Sequence, residues 1–575
     1  MRHNMSHRDR GCNPTSHYAP FEETTMPGGP LTHACRHLRV RDQLATVASW
    51  VIVLAAAPNL LAEELLDETN AITIFAFDDQ TIPFSQNLRL EMRQPVRHPE
   101  NPVVARGPAG SVDAFAVQFY GSVLRDGERF RMWYVAVGDE ADRTRSASAR
   151  WRPAYAESTD GVHWTKPNLG LVQYAGSTAN NLVRLDPPGL GMINVKVLDD
   201  RTEADPARRY KITTHAYFRD KRRLGTLAPF VSADGLTWQQ ATPATYVNGE
   251  LSKDDLVLPG VHFEPCGGLY QWDGFYFICG QNAMNAPRSY QGRVTRMYRS
   301  RDFVNWSPTS QVGFVRDVQH GSWGPGRSLE GEQCHEGISV WNRRNVLLGV
   351  VGLWHGATEW KDIRVDLGFV FSNNGLHFRE PVHEWVFLKR GPDGTWDQGG
   401  LLQGQGFENV GEYTYIYYGA WDPRCTGQPK AQPRGGVGLA VLPRDRFGDL
   451  VVELAGKGTG DYQLQEIDSE FVTSAIELPK AASHRFTLNA EGLGPNAALR
   501  IELLDAAETP LPGYSGEQGA VVRRSGFQTP IEWGERMQLT DLPDRVRLRV
   551  HFEGEKNTAI RFSALSIWPA VSSRY

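Results

Sequence analysis

A short segment recurs along the chain, and its spacing restricts the fold more than any other feature. Ser158-Thr-Asp-Gly-Val-His-Trp164 returns as Ser232-Ala-Asp-Gly-Leu-Thr-Trp238, Ser300-Arg-Asp-Phe-Val-Asn-Trp306 and Ser372-Asn-Asn-Gly-Leu-His-Phe378. From Asp160 through Asp234 and Asp302 to Asn374 the steps are 74, 68 and 72 residues, and a looser copy, Pro443-Arg-Asp-Arg-Phe447, puts Asp445 another 71 residues on. Ser and Asp side chains fold back onto backbone amides, Gly permits positive φ, and the aromatic residue three places later packs on what lies beneath. Each copy therefore reads as a hairpin corner, and its Asp as structural rather than catalytic.

A strand-like run precedes every corner: Arg129 to Val137, Arg209 to Tyr217, Phe275 to Gly280, Val346 to Leu353 and Tyr413 to Tyr418, all rich in aromatic and β-branched residues. Units of this length built only of strands cannot bury a face alone and stack radially as blades. The rival repeat architecture, a parallel β-helix, has much shorter repeats. The expected fold class is all-β: a five-bladed β-propeller over residues 98–456 followed by a β-sandwich domain at 465–575. In that second domain Arg485 to Asn489, Ala498 to Leu504, Val546 to Phe552 and Ala559 to Ile567 alternate as sandwich strands do. Residues 63–97, with Ile72 to Phe77 strand-like, read as an N-terminal strand segment packed on one of the two domains.

The 575 residues are 41% hydrophobic and 22% charged, enough apolar surface for such cores and far from a disordered composition. Lys plus Arg number 61 against 66 Asp plus Glu, with no long run of either sign, which argues against a nucleic-acid partner. From Leu44 to Ala62 the chain is uncharged, with Arg36, Arg39 and Arg41 before it and Glu63 and Glu64 after it, the layout of a secretory signal peptide. Residues 1–62 thus read as an N-terminal extension and signal peptide, with Met26 a candidate start. Such a stretch can also just span a bilayer, but Pro58 and the small residues Ala55 to Ala57 favour cleavage, so a secreted or periplasmic chain without an integral membrane span is expected. Export leaves Cys266, Cys279, Cys334 and Cys425, and no CxxC or HExxH spacing occurs, so neither a metal nor another cofactor is expected. Oligomeric state has no sequence signature here.

In a propeller the innermost strands line the central channel. The runs expected there are Ser111 to Tyr120, Met192 to Asp200, His262 to Tyr270, Gln333 to Trp341 and Asp397 to Gln405. Each has a carboxylate near one end: Asp113, Asp199 or Asp200, Glu264, Glu336 and Asp397. Two carboxylates across a cleft suit glycosidic cleavage, one supplying a proton and the other acting ionised; the alternative for each is a pairing with a nearby Arg, Lys or amide. His262 shares a strand face with Glu264, whereas His335 and Glu336 point to opposite faces. The catalytic candidates are Glu264, Asp113, Asp199 and Glu336, and the substrate-contacting candidates His262, His335, Asp397 and Trp354. Trp272, Trp341, Trp360 and Trp421 either stack on sugar rings or fill space between blades.

The block Tyr155 to Leu171, continued by Gly176-Ser-Thr-Ala-Asn-Asn-Leu-Val183, resembles secreted propeller proteins similar to glycoside hydrolase family 32, of planctomycete type. Leu499-Arg-Ile-Glu-Leu-Leu-Asp505 with Pro510-Leu-Pro-Gly-Tyr-Ser515 resembles the sandwich that follows that propeller. The wider clan, with families 43 and 68, uses an Asp from each of the first two blades and a Glu from the third. Phe263-Glu-Pro-Cys266 is similar to the clan's Glu-Cys-Pro segment with its last two residues exchanged. The resemblance thus implies Glu264 as acid/base, Asp113 as nucleophile or base and Asp199 as transition-state stabiliser. The family 32 hallmark Trp-x-Asn-Asp-Pro-Asn-Gly is absent, His98-Pro-Glu-Asn-Pro102 being the nearest text, and no Arg-Asp-Pro stands in the second blade. Two readings follow: a secreted glycoside hydrolase acting on a poly- or oligosaccharide, and a non-catalytic carbohydrate-binding propeller. A phosphorylase, with Lys196 and Arg209 holding phosphate, is a lesser option.

Overall fold

The structure, a computed structural model, describes residues 71–138, 151–186, 192–217, 225–241, 246–247, 250–251, 263–282, 293–316, 330–421, 434–453 and 468–569. The chain divides into Met1–Glu64 and Leu65–Tyr575; the first part, with its apolar stretch, lies outside the described residues, as do His262 and Cys425. Among the described residues no helix is long and apolar enough to cross a membrane.

The architecture is all-β and propeller-like. Among the described residues, five antiparallel units follow one another, with innermost strands Ala116–Asp126, Lys196–Asp199, Leu269–Trp272, Gly331–Asn342 and Leu401–Val410. Each pairs outward with an aromatic-rich second strand: Arg129–Val137, Tyr210–Tyr217, Phe275–Asn282, Leu347–Gly356 and Tyr413–Ala420. These are the runs picked out by composition, because β-branched and aromatic side chains fill a pleated surface buried on both faces.

Hydrogen bonds link each inner strand to the next. The Val195 amide donates to the Tyr120 carbonyl, Asn194 Nδ2 to the Pro265 carbonyl, the Gly268 amide to the Ile338 carbonyl and Ser339 Oγ to the Gln403 carbonyl. Leu401–Val410 then pairs in parallel with Ala116–Asp126, returning to the first unit. The outermost strand of the fifth unit, Val96–Arg97, comes from the N-terminal side of the chain and pairs with Ala440 and Val441. The first and last units are therefore held by residues distant in sequence.

Each corner follows the third strand of its unit, and in the second, third and fourth units a fourth strand comes after it. Ser158, Ser232, Ser300 and Ser372 each direct Oγ at the carboxylate or amide oxygen two residues on, at 2.9 to 3.1 Å. Oδ1 of that residue in turn accepts two backbone amides, as Asp160 does from Val162 and His163 at 2.8 Å each. The corner glycines also dock the neighbouring unit: the Gly161, Gly235 and Gly375 carbonyls accept from Tyr417, Trp133 and Tyr270. In the third copy Phe303 takes the left-handed conformation at φ 63 and packs fully buried on Tyr276 and Trp306. The fifth copy differs. Asp445 is gripped by the Arg343 guanidinium instead of capping its own turn, and Arg446 and the Arg444 carbonyl bind Asn489 of the C-terminal sheets at 2.7 Å each.

Gly235→Ala has a definite expected cost. Residue 235 sits at φ +75, and a Cβ there would lie 2.8 Å from the buried Trp133 ring. Left-handed backbone and overpacking together lower unfolding stability by about 2 to 4 kcal/mol. Gly274→Ala, at φ +72 with nothing within 4 Å, loses only the backbone part, about 1 kcal/mol. Urea unfolding of the two variants gives the comparison; equal losses would contradict the docking role.

Beyond the units lie two sheets that share one core. One joins His484–Glu491, Gly526–Pro530 and Arg561–Pro569 with Ile72–Phe75, Leu88–Met92 and Gly448–Val452; the other joins Ala498–Leu504, Ala520–Val522, Arg545–Glu553 and Glu470–Val472 with Phe84–Gln86. Phe486, Leu488 and Phe562 meet Leu499, Ile501, Leu548 and Val550 between them. Along Arg545–Glu553 every second side chain is buried, the period of a strand with one face on a core. The N-terminal segment is thus divided, its first strands in these sheets and Val96–Arg97 in the fifth unit. Phe75, Phe77 and Ala564 belong to a second apolar cluster with Phe369, Phe371 and Phe447.

Candidate functional site

Three inner strands carry bulges, where the register shifts between Gln118 and Ser122, His335 and Ile338, and Gln403 and Phe407. A bulge re-aims the side chain at its extra residue. In the fourth unit that residue is Glu336, at φ 59, followed by Gly337 at φ 83. A Cβ on Gly337 would meet the Gly280 backbone at 2.9 Å, so only glycine lets the bulge approach the third unit.

The result joins two carboxylates from different units. The Glu336 amide donates to Gln281 Oε1 at 2.9 Å, and Gln281 Nε2 donates to Glu336 Oε1 at 3.1 Å and to Glu264 Oε2. Gln281 lies near the end of the second strand of the third unit and is bridged to Glu264 through both backbones, Glu264 N to Gln281 O at 3.1 Å and the reverse at 3.0 Å. Burial, and next the charge of Glu264, hold the Glu336 carboxyl well above the usual carboxylate range. Its Oε2 is buried without a hydrogen-bond partner among the described residues.

Other buried groups converge here. His335 stacks on Trp421 with ring centres 5.4 Å apart and lies 5.1 Å from Trp354, with Trp360 edge-on to both tryptophans. Its Nδ1 is 3.3 Å from the Tyr120 hydroxyl. Burial and then the Arg293 charge push the imidazole down to about 3, so it is neutral at ordinary pH. Arg293 lies over the Trp354 ring at 4.2 Å. Burial and the neighbouring Glu336 keep the Tyr120 hydroxyl protonated.

Lys196 is completely buried and crosses the ring. Its Nζ donates to the Gln403 carbonyl at 3.0 Å, Ser339 Oγ at 3.1 Å and the Gly121 carbonyl at 3.4 Å. Ser339 spends its own proton on the Gln403 carbonyl, so all three contacts need a Lys196 hydrogen and match an ammonium. Burial pulls the group down to about 7.

The structure brings together Glu264 and Glu336, with His335 and Trp354 close by. Among the described contacts, none joins Asp113 or Asp199 to Glu264, the set that the resemblance implies. Asp113 is fully engaged within the first unit: Tyr134 donates to Oδ2 at 2.8 Å, Lys166 to Oδ2 at 2.5 Å, and the Gly107 amide and Ser111 Oγ to Oδ1 at 3.1 Å each. Asp397 has similar surroundings, with Arg97 and Tyr418 on Oδ2 at 2.8 and 3.2 Å and Thr395 on Oδ1 at 3.0 Å. The sequence carries this duplication outside the corner repeat, Arg106-Gly-Pro-Ala-Gly-Ser-Val-Asp113 matching Arg390-Gly-Pro-Asp-Gly-Thr-Trp-Asp397. Asp199 is held by Arg209 at 2.7 and 2.9 Å and by Arg201 at 3.0 Å, and Asp200 by Lys211 at 2.9 Å. The three Lys196 donors are filled, so Lys196 is not open to phosphate. Trp341 stacks on Phe407 between units, and Trp272 lies against Gly375.

Gln281, Tyr120 and Arg293 are not singled out by the sequence. Gln281 carries no charge and sits near the end of a strand whose neighbours look like filler. Its only signal is that a polar residue follows the otherwise apolar Phe275 to Gly280 run.

A second polar cluster stands apart, beside a cleft of about 400 Å3 lined by Val312, Phe314, Phe378 and Arg379. The donor atoms of Glu380, His383 and Glu384 lie within 4.8 Å of one another, a metal-like set, but Arg316 already takes both Glu384 oxygens. Arg316 also pairs with Glu332 at 2.7 Å, and His355 stands between Glu332 at 2.8 Å and Asp366 at 3.3 Å. Burial opposes the His355 charge, but the bonds to Asp366 and Glu332 outweigh it and raise the imidazole to about 9. A raised histidine stabilises fully below its unfolded value of about 6.5 and loses that contribution as pH rises through the folded value. The stability difference between wild type and His355→Gln should therefore be constant up to about pH 6 and shrink between about pH 7 and 10 in denaturant titrations; a difference independent of pH would refute the pairing.

No protein family matches the chain, and no curated protein matches it. Solved structures similar to it include one from the GH130 family of mannoside phosphorylases, described as containing glycoside hydrolases that target β-1,2 mannosidic linkages in Candida mannan. It is 14% identical, over 61% of this chain and 94% of that one, with a TM-score of 0.39. A glycosyl hydrolase from Bacteroides ovatus is 14% identical over 62% of this chain and 95% of its own, TM-score 0.39. An N-acetylgalactosamine deacetylase from F. plautii, in complex with blood group B trisaccharide, is 15% identical over 62% and 96%, TM-score 0.38. Similarity at this level transfers no residue role.

Proposed function

We propose that this chain is an exported glycoside hydrolase of the clan that includes family 32, a five-bladed propeller with an accessory sandwich, acting on a poly- or oligosaccharide. Glu336 is the proton donor and Glu264 the partner that carries negative charge. The observation that supports this is the single Gln281 amide shared by two carboxylates, one of them in a setting that keeps it protonated. Two carboxylates pushed to opposite protonation states are the working pair of a glycosidase. The acid assignment moves from Glu264 to Glu336 because burial favours the neutral form there. Export rests on the uncharged Leu44 to Ala62 stretch with its basic and acidic flanks.

Both carboxylates accept from one nitrogen, so the accepting oxygens lie within about 6 Å of each other. That is closer to the roughly 5 to 5.5 Å of retaining enzymes than to the roughly 6.5 to 9.5 Å of inverting ones. Incubating the purified chain with a panel of glycans and following the first-formed anomer by NMR tests both points. Release of sugar with retained configuration is expected. Inverted product would overturn the nucleophile assignment, and glycan retention without any release would favour the carbohydrate-binding reading, which draws on Asp113 and Asp199 being occupied by structural partners.

A further inference from the structure

We propose that Gln281 is the positioning residue of this site: it holds the two carboxylates apart and confines the acid proton to Oε2 of Glu336. The inference rests on the glycoside hydrolase reading of the pair. The orientation of the Gln281 amide is set by its surroundings, since Oε1 accepts the Glu336 amide hydrogen while Nε2 faces two carboxylate oxygens. A flipped amide would set oxygen against oxygen and N–H against N–H. Glu264 Oε2 and Glu336 Oε1 are therefore both acceptors and carry no proton. A proton on Glu336 has one place left, Oε2, the atom without a hydrogen-bond partner among the described residues. Held there, it is not shared with Glu264; besides Gln281, the Cys266 thiol also hydrogen-bonds Glu336.

Without the amide, the facing oxygens would share one proton between them, as paired carboxylates do, and the acid and its partner would titrate as a unit. Gln281 is 3% exposed and bridged to Glu264 through both backbones, so amide and carboxylate are carried by one rigid piece of the third unit. The titratable and charged groups facing Glu336 come from every neighbouring unit: Tyr120 from the first, Lys196 from the second, Cys266, Glu264 and Arg293 from the third, and His335 from its own strand. Among the described hydrogen bonds, Gln281 alone supplies donors to both carboxylates.

The test uses Gln281→Met, which keeps the volume and removes the donors, and Gln281→Glu, which keeps the shape and adds a charge. Carboxyl-13C glutamate labelling, with Glu264→Gln and Glu336→Gln for assignment, follows each carboxyl by NMR across pH. In wild type Glu336 should stay protonated through neutrality while Glu264 titrates separately; in Gln281→Met the two signals should move together. On a glycan substrate Gln281→Met should lose about 10²-fold in kcat with little change in KM, and its pH optimum should shift by about one unit. Gln281→Glu should raise the acid limb further. Titration of Glu336 in Gln281→Met as in wild type, or an unchanged pH optimum in both variants, would overturn the proposal. If wild type turns over no glycan, the hydrolase reading fails on its own, while the NMR titration still decides whether Gln281 keeps the two carboxyls apart. Should Gln281→Met not fold, Gln281→Glu decides: separate titrations identical to wild type overturn the role.

Discussion

On the proposed mechanism, Glu336→Gln is expected to lower turnover of an unactivated glycan by about 10² to 10⁴-fold, the usual contribution of a general acid, while leaving the fold intact. The amide is nearly isosteric and uncharged, like the buried protonated carboxyl it replaces, so thermal unfolding should stay close to wild type. What it cannot do is deliver a proton to the departing oxygen. Aryl glycosides with acidic leaving groups need no such proton and should recover most of the loss. Glu264→Gln should fail on both kinds of substrate, because a nucleophile is required whatever leaves. Steady-state kinetics on the two substrate types separates the roles. Glu336→Gln hydrolysing the unactivated glycan within about tenfold of wild type would remove Glu336 from the mechanism.

Asp113→Asn is expected to do the reverse. Asp113 is 1% exposed and accepts from Tyr134, Lys166, Ser111 and the Gly107 amide. Neutralising one member of such a pair leaves the Lys166 ammonium without its counter-charge and turns an amide N–H against existing donors, at a cost of about 3 kcal/mol or more. Turnover per folded molecule should change by no more than a few-fold, since the described partners of Asp113 all lie within its own unit. Asp397→Asn, with Arg97, Tyr418 and Thr395 in the matching places, should lose a similar amount. Denaturant unfolding and kinetics on the same samples check both halves. A stable Asp113→Asn with abolished turnover would restore Asp113 as the nucleophile.

Much of the architecture is local, and to that extent it was legible. The Ser-x-Asp-Gly corners are built from hydrogen bonds spanning two or three residues, and strands such as Arg129–Val137 and Ala498–Leu504 are marked by their own composition. The carboxylates were harder. Asp113, Asp199, Glu264, Glu336 and Asp397 look alike in sequence, each near one end of an inner-strand run. What separates them is how many donors reach each one from afar: Lys166 to Asp113 across 53 residues, Arg97 to Asp397 across 300, and Gln281 to Glu336 across 55. The fifth corner departs from its copies for the same reason, because Arg343, 102 residues earlier, takes its Asp445.

The sequence by itself determined the repeat, the strand class, the corner chemistry and the carboxylate-bearing inner runs, since these depend on side chains within a few residues of one another. Only the tertiary structure decided which carboxylates come together. The bulge that turns Glu336 toward the third unit, the Gln281 amide that meets it and the burial that raises its carboxyl above the usual carboxylate range arise where separate units touch. That shift follows from enclosure, and enclosure belongs to the packed units together rather than to any one segment of the chain.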